Sequence, residues 1–339
     1  MVRVYRPTLV VSSVLIALGM TAPVLGKDFY EGKTINFISA SAVGGGYDTY
    51  GRLAAAHMSR LLPGHPTIVP QNMPGANGIR GANYLYTIAP KDGTAIGMVD
   101  QALYLDQILG KPELTADTAK FNWIGRIASN NAVLFASASA PVKTIEDAMT
   151  NELIVSASGT SSKLRWTVLQ KVVGLKAKII SSYKGTNESR LALQRGEVQA
   201  LSMPWTVLKA QEAQAIADGS IKLLMQTGME KAPDLQQVPR MIDLAKNDED
   251  RQLLALFCSP DAIGRSVLAP PDVPAERVAE LRRAFMAMVK DAAFLADIEK
   301  MKLELDPLSG EELQKIVEGA NQLSPALIER ARSMAVIEP

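Results

Sequence analysis

Three consecutive glycines, Gly44, Gly45 and Gly46, follow a strand-like run from Thr34 to Ser39, and an amphipathic stretch opens at once with Tyr47, Asp48 and Thr49. The chemistry of such a junction is anion binding. The first turn of a helix has unpaired backbone N–H donors and the positive end of the macrodipole, and glycines let a ligand come close to the backbone. Ser41 adds a hydroxyl to the same loop. A second junction of this kind lies where Ile154 to Ser158 runs into Gly159, Thr160, Ser161 and Ser162, with Leu164, Val168 and Leu169 at helical spacing beyond. Two cradles in one chain point to a ligand held between them. Each loop alone is also open to a plainer reading, because a tight strand-to-helix turn uses glycine for its backbone freedom. The first loop has no G-x-G-x-x-G and neither loop ends in Gly-Lys-Ser/Thr, so dinucleotide and phosphate-loop readings lack their defining residues.

Around the two loops, each polar or aromatic residue has a binding role and a structural one. Asp48 can accept a hydrogen bond from a ligand hydroxyl or amino group, or can simply favour the N-terminal turn of its helix. Tyr47 can stack on a ligand or cover an apolar seam. Ser158, Thr160 and Ser161 can face ligand, cap the second helix, or both. Lys184, between a strand and a helix, can set a positive charge near an acid or sit solvated at the surface. Trp205 follows Met203 and Pro204 at a strand end, where it can line a cleft or pack as core. No catalytic set accompanies them. His57 and His65 are the only two histidines and Cys258 the only cysteine, so no metal site or disulfide can be built from recognisable spacing. A G-x-S-x-G elbow is absent. Cys258, beside the apolar Leu253 to Phe257, reads as a small buried hydrophobe. The expectation is a binding protein, not an enzyme, with no cofactor.

Arg3 and Arg6 precede an apolar run from Leu9 to Met20, and Val24, Leu25 and Gly26 stand before Lys27. This is the three-part pattern of a cleavable signal peptide, 1–26, and it predicts a periplasmic location. Its removal takes away two basic residues and no acidic one, so 36 basic against 35 acidic becomes 34 against 35 and the net charge moves from +1 to −1. Near-neutral balance argues against a nucleic-acid partner, which needs a concentrated basic surface.

Strand-like and helix-like stretches alternate through the chain, which predicts an α/β fold with mainly parallel sheets flanked by helices. A first βαβαβ unit runs from Thr34 to Val99, with helices over 47–62 and from about Ala82 to Ala89. The extended run from Asn122 to Ala136, broken at Ser129, Asn130 and Asn131, reads as a crossing into a second unit. That unit opens with a helix capped at Thr144 and Asp147 and continues through strands at 153–156, 178–180, 198–201 and 221–225. A return crossing is expected at Ser266 to Leu268. Two C-terminal helices, one starting at Pro274 and one capped by Ser309 and Glu312, have no strands of their own and are expected to pack on the first unit. The lobes are then 27–128 with 264–339, and 129–263, with a ligand cleft between them.

Several short elements, in order, carry a family likeness: Gly45, Gly46, Asp48 and Arg52; NMPGANG at 72–78; APKDG at 89–93; SYKGT at 182–186; and GEVQA at 196–200. The chain resembles the Bug family, the periplasmic substrate-binding proteins of tripartite tricarboxylate transporters. Tyr47 stands where that family has a small or hydroxyl residue, and Asn77 where it has glycine. The resemblance implies a Venus-flytrap clamp, expected to act as a monomer, that closes on a small organic carboxylate and delivers it to membrane transporter subunits. One ligand carboxylate would be held by backbone amides and bridging waters from the two glycine-rich loops. A ligand-loaded sensor docking on a membrane signalling partner would use the same clamp.

Overall fold

The computed structural model describes residues 28–157, 160–183, 185–319 and 323–335. The expected signal peptide, 1–26, lies outside them, as do Ser158, Gly159 and Lys184. Eleven strands are described: β1 Thr34–Ser39, β2 Thr67–Asn72, β3 Ala95–Met98, β4 Asn122–Ala128, β5 Ala132–Ser137, β6 Leu153–Ser156, β7 Ala177–Ile180, β8 Ala200–Pro204, β9 Ile221–Gln226, β10 Arg265–Ala269 and β11 Leu308–Ser309.

They form two sheets, ordered β11-β4-β10-β3-β1-β2 and β7-β6-β8-β5-β9. Leaving β11 aside, the two orders are the same. Each sheet begins as a parallel set with its first strand in the middle (β2-β1-β3 and β7-β6-β8) and then takes in one antiparallel strand, β10 or β5, before its last strand. The expectation of mainly parallel sheets therefore holds only for those halves. Strand β5 reaches its sheet straight from β4, without the crossover helix that parallel pairing requires, so it enters antiparallel, and β10, arriving through the helix Asp248–Ile263, runs antiparallel to β3 and β4. The fold is two-lobed α/β, with helices flanking both sheets.

Burial explains the local choices. In β1, Ile35, Phe37 and Ile38 are fully buried, and the next helix, Gly46–Met58, turns Tyr50, Leu53, Ala54 and Met58 onto Ile35 and Phe37, while Ile38 faces the other side. A Cβ at Gly51 would lie 2.7 Å from the Phe37 ring, so glycine is what lets helix and strand approach. That helix gives way to a 3-10 turn, Ser59–Leu61, where the sequence predicts its continuation. The Thr144–Asp147 capping contacts form, yet they open only the 3-10 turn Asp147–Met149 and not a helix. The Ser309–Glu312 capping box opens the helix Gly310–Glu318 as expected.

Two features were not anticipated. The return from the second sheet to the first is not a short extended crossing: Ser266 to Leu268 lie inside β10, and the link is a buried helix, Asp248–Ile263. The last helix, Pro325–Ala335, does not pack on the first lobe alone. It lies against both Asp248–Ile263 and Thr160–Val168. Arg330 pairs there with Glu249 and Asp250 at 2.9 and 2.6 Å, and Lys171 donates to the Ser333 carbonyl at 3.4 Å. The largest buried cluster runs accordingly from Ile38 and Leu85, through Leu253 and Leu254, to Val155 and Leu327. Cys258 sits fully buried within it, and burial pushes its thiol pKa up.

Candidate functional site

At the carboxyl ends of β1, β3 and β8 the chain encloses a cavity of about 550 Å³. This is where open α/β sheets place ligands, because the strand ends and the helix N-termini that follow them face the crevice. The first lobe contributes Tyr47, Asn77, Asp100 and Gln101 to the lining, and the second contributes Arg165, Thr186, Ser202 and Met203. Asn130, Asp261 and Arg265 come from the segments that join the sheets.

Those joining segments are packed backbone to backbone. Asn130 N–H donates to the Asp261 carbonyl at 3.0 Å, and Gly264 (φ +53°) lies so close to the first crossing that a Cβ there would be 2.2 Å from the Ala128 oxygen. Arg265, the first residue of β10, therefore emerges at the cleft floor, with its guanidinium 4.1 Å from the Tyr47 ring centroid. Stacking on an aromatic face holds an arginine in place while leaving its N–H groups in plane and available.

A polar chain then spans the floor from one lobe to the other. Arg265 donates to Gln101 Oε1 at 3.3 Å, and Gln101 Nε2 donates to Asp261 Oδ1 at 3.0 Å. The second Asp261 oxygen accepts from the Thr227 hydroxyl and, at 3.4 Å, from Arg165, which also donates to Ser202 Oγ at 3.1 Å. Burial pushes the Asp261 pKa above the usual carboxylate range, against the opposing pull of Arg165 and Thr227. The Tyr47 hydroxyl accepts Gln101 N–H at 3.0 Å, which leaves its own proton for the Asp100 carboxylate. Asp100 in turn caps the following turn through Ala102 N–H at 2.8 Å. Burial raises the Asp100 pKa, and burial also raises that of Tyr47. Lys111 faces the cavity already paired with Asp106 at 2.7 Å.

The residues singled out from the sequence divide between the cavity and its supports. Tyr47 lines the cavity, and Gly46 backs Arg265, with a Cβ position 3.5 Å from its guanidinium. The Gly46–Met58 helix has no side-chain cap at its N-terminus. Ser41, Gly44, Gly45 and Asp48 stand behind this layer. Asp48 is 2% exposed and accepts from Gly44 N–H at 2.8 Å, Asn72 Nδ2 at 2.8 Å and Arg52 Nε at 2.9 Å. Asn72 also donates to the Ser41 carbonyl at 3.0 Å. The left-handed residue of the loop is Gly44, at φ +79°; Gly45 is extended at φ −72°. Asn77 adopts φ +53°, a conformation asparagine tolerates better than most residues, so it can stand where a glycine is expected. Trp205 packs against Phe135, Met203 and Leu208 and donates to Asp234 at 2.8 Å, while its neighbours Met203 and Pro204 line the cavity. Thr160 and Ser161 open the Thr160–Val168 helix, and that helix delivers Arg165 to the cleft one turn later.

Sequence reasoning missed Asp100, Gln101, Arg165, Asp261 and Arg265. A usable signal existed for two of them. Asp100 and Gln101 directly follow a strand that was recognised, at the same rim as the first glycine loop.

The family model of the tripartite tricarboxylate transporter family receptor matches residues 51–332. No curated protein is matched by the sequence. Among solved structures, a TctC solute-binding protein from Polaromonas is similar at 21% identity, over 89% of this chain and 99% of its own, with a TM-score of 0.69. An R. palustris protein with adipate shares 20% identity over 91% of this chain and 98% of its own, at a TM-score of 0.59. MatC from Rhodopseudomonas palustris, with bound malate, shares 19% over 89% and 99%, at 0.57.

Proposed function

The chain belongs to the tripartite tricarboxylate transporter receptor family, and on that premise we propose that it captures a small organic carboxylate in the cleft and delivers it to a membrane transporter of the tripartite tricarboxylate type. One observation carries the reading: two arginines, Arg265 and Arg165, reach the same cavity from opposite sides of the polar floor that joins the lobes. A guanidinium is matched to a carboxylate in charge and in fork geometry. The uncapped N-terminus of the Gly46–Met58 helix adds backbone donors to the first-lobe wall, and the Thr160–Val168 helix starts on the other wall. Malate and adipate, the acids held by two similar structures, are of a size the cavity accepts. The lobes would be 27–128 with 264–339, and 129–263, and the protein would act in the periplasm as a monomer after loss of residues 1–26.

A thermal-shift screen of the purified protein against mono-, di- and tricarboxylates, aromatic acids and amino acids tests the first half of this reading. Stabilisation by at least one acid, lost in Arg265→Gln, is expected. Stabilisation only by uncharged compounds would sink it. Co-purification of the loaded protein with membrane subunits of such a transporter tests the second half, and capture by a signalling receptor instead would refute delivery.

A further inference from the structure

In the cavity, Asp100 and Arg265 are opposite charges that do not pair with each other. Among the described residues no carboxylate forms an ion pair with Arg265, which donates instead to the neutral Gln101 amide at 3.3 Å. Asp100 is likewise in no ion pair; it takes the Ala102 N–H at 2.8 Å and faces the Tyr47 hydroxyl. Tyr47 stands between them, with Arg265 on its ring face and Asp100 at its hydroxyl end. The other cation–anion sets of the lining are closed: Lys111 with Asp106, and Arg165 with Asp261.

Two opposite charges, partly desolvated and held apart, are costly unless a third group bridges them. Arg265 stacks on the Tyr47 ring instead of pairing with Asp100. We propose that Asp100 and Arg265 form a two-point site for an acid that carries a hydrogen-bond donor near its carboxylate, so that the carboxylate meets Arg265 and a ligand hydroxyl or ammonium meets Asp100. The substrate class is then hydroxy or amino acids, and plain acids of the same length are the disfavoured class. This rests on the carboxylate reading above. It also moves the donor-recognising role that the sequence suggests for Asp48 to Asp100, because the Asp48 oxygens are taken up by Gly44, Arg52 and Asn72. Gly78 (φ +91°) supports the arrangement from behind, since a Cβ there would sit 3.1 Å from Asp100 Cβ.

The test is calorimetry of the purified protein with three matched four-carbon diacids, succinate, malate and aspartate. Malate or aspartate should bind at least about tenfold tighter than succinate, the scale of one charge-assisted hydrogen bond. Asp100→Asn keeps the acceptor for Ala102 N–H and should fold. It should bring the better donor-bearing ligand to within about threefold of succinate. Gly78→Ala, judged folded by circular dichroism, should reduce the same preference by pressing on Asp100 from behind, with both charged side chains kept. Equal affinity for the three diacids in the unaltered protein, or equal losses for all three in Asp100→Asn, would overturn the proposal while leaving the carboxylate reading standing. Failure of all three and of every other acid in the screen would overturn both.

Discussion

The Asp48 carboxylate accepts the backbone N–H of Gly44 at 2.8 Å, four residues back across the glycine loop that introduces it. The loop's first donor is thus used by the protein itself, and the bond fixes the curvature that presents Gly46 and Tyr47 to the cleft. Asp48→Ala should leave this N–H without its acceptor, deprive Asn72 of one of its two, and destabilise the protein by about 1.5–3 kcal/mol, the range for hydrogen bonds to a charged group. Chemical denaturation measures this. Ligand preference between plain and donor-bearing acids should not change.

The same carboxylate gives a pH dependence with a definite sign. Burial alone would raise the Asp48 pKa, but the hydrogen bonds from Arg52, Gly44 and Asn72 more than offset it and hold the pKa below its ordinary 3.8. A depressed folded pKa means that this stabilisation is fully present above 3.8 and is lost as pH falls from there through the folded value. Denaturation midpoints of the unaltered protein should therefore fall faster than those of Asp48→Asn on acidification below that point. Parallel curves would show that the network contributes nothing.

Tyr47→Phe keeps the ring under Arg265 and removes only the acceptor for Gln101 N–H and the hydroxyl facing Asp100. Stability should drop by about 1 kcal/mol, the net worth of one such bond. Tyr47→Ala should in addition release Arg265 and weaken every acid that binds. Equal affinities for the two variants would mean that stacking does not position the guanidinium.

The glycines of the first loop should separate by mechanism. At Gly44 a Cβ meets nothing within 4 Å, so Gly44→Ala pays only for φ +79°, about 1–2 kcal/mol of stability, with binding retained. At Gly46, Arg265 stands 3.5 Å from the Cβ position, so Gly46→Val should displace the guanidinium and weaken acid binding while the lobes stay folded. Calorimetry beside circular dichroism distinguishes the two outcomes, and unweakened binding by folded Gly46→Val would remove Gly46 from the site.

Where the two crossings touch, Gly264→Ala should be far more damaging than either, because its Cβ would lie 2.2 Å from one backbone oxygen and 2.8 Å from Ser129 Cα. Poor expression or early thermal unfolding is the expected result. A stable variant would show that the crossings can separate, which small-angle scattering would then record as a larger radius of gyration.

How much of this was legible follows from how local each signal is. The strand–glycine–helix junction at 34–58 is encoded in neighbouring residues, and it folds as its pattern states. Asn247 followed by Asp248, Glu249 and Asp250 is an equally local helix start, and Asn247 does cap Asp250 N–H at 2.8 Å, yet the buried residues that follow mask the amphipathic period. Arg165, Asp261 and Arg265 were illegible because nothing in their own neighbourhood marks them. They meet only when a helix and a strand separated by some hundred positions are brought to one floor by β10. The mixed pairing of the sheets was hidden for the same reason, since strand direction is decided by where the chain arrives from.

That arrival has a consequence for the order in which the chain can be assembled during synthesis. In the second sheet the inserted strand β5 precedes its neighbours β8 and β9, so the sheet can be completed once Gln226 has emerged. In the first sheet β10 lies between β3 and β4, both made long before it. Until Arg265 to Ala269 emerge, those two strands each keep an open edge, the kind of surface that recruits foreign strands. The lobe that is translated first is the lobe that finishes last, and a nascent chain stalled between Gln226 and Arg265 holds a complete second sheet beside a divided first one.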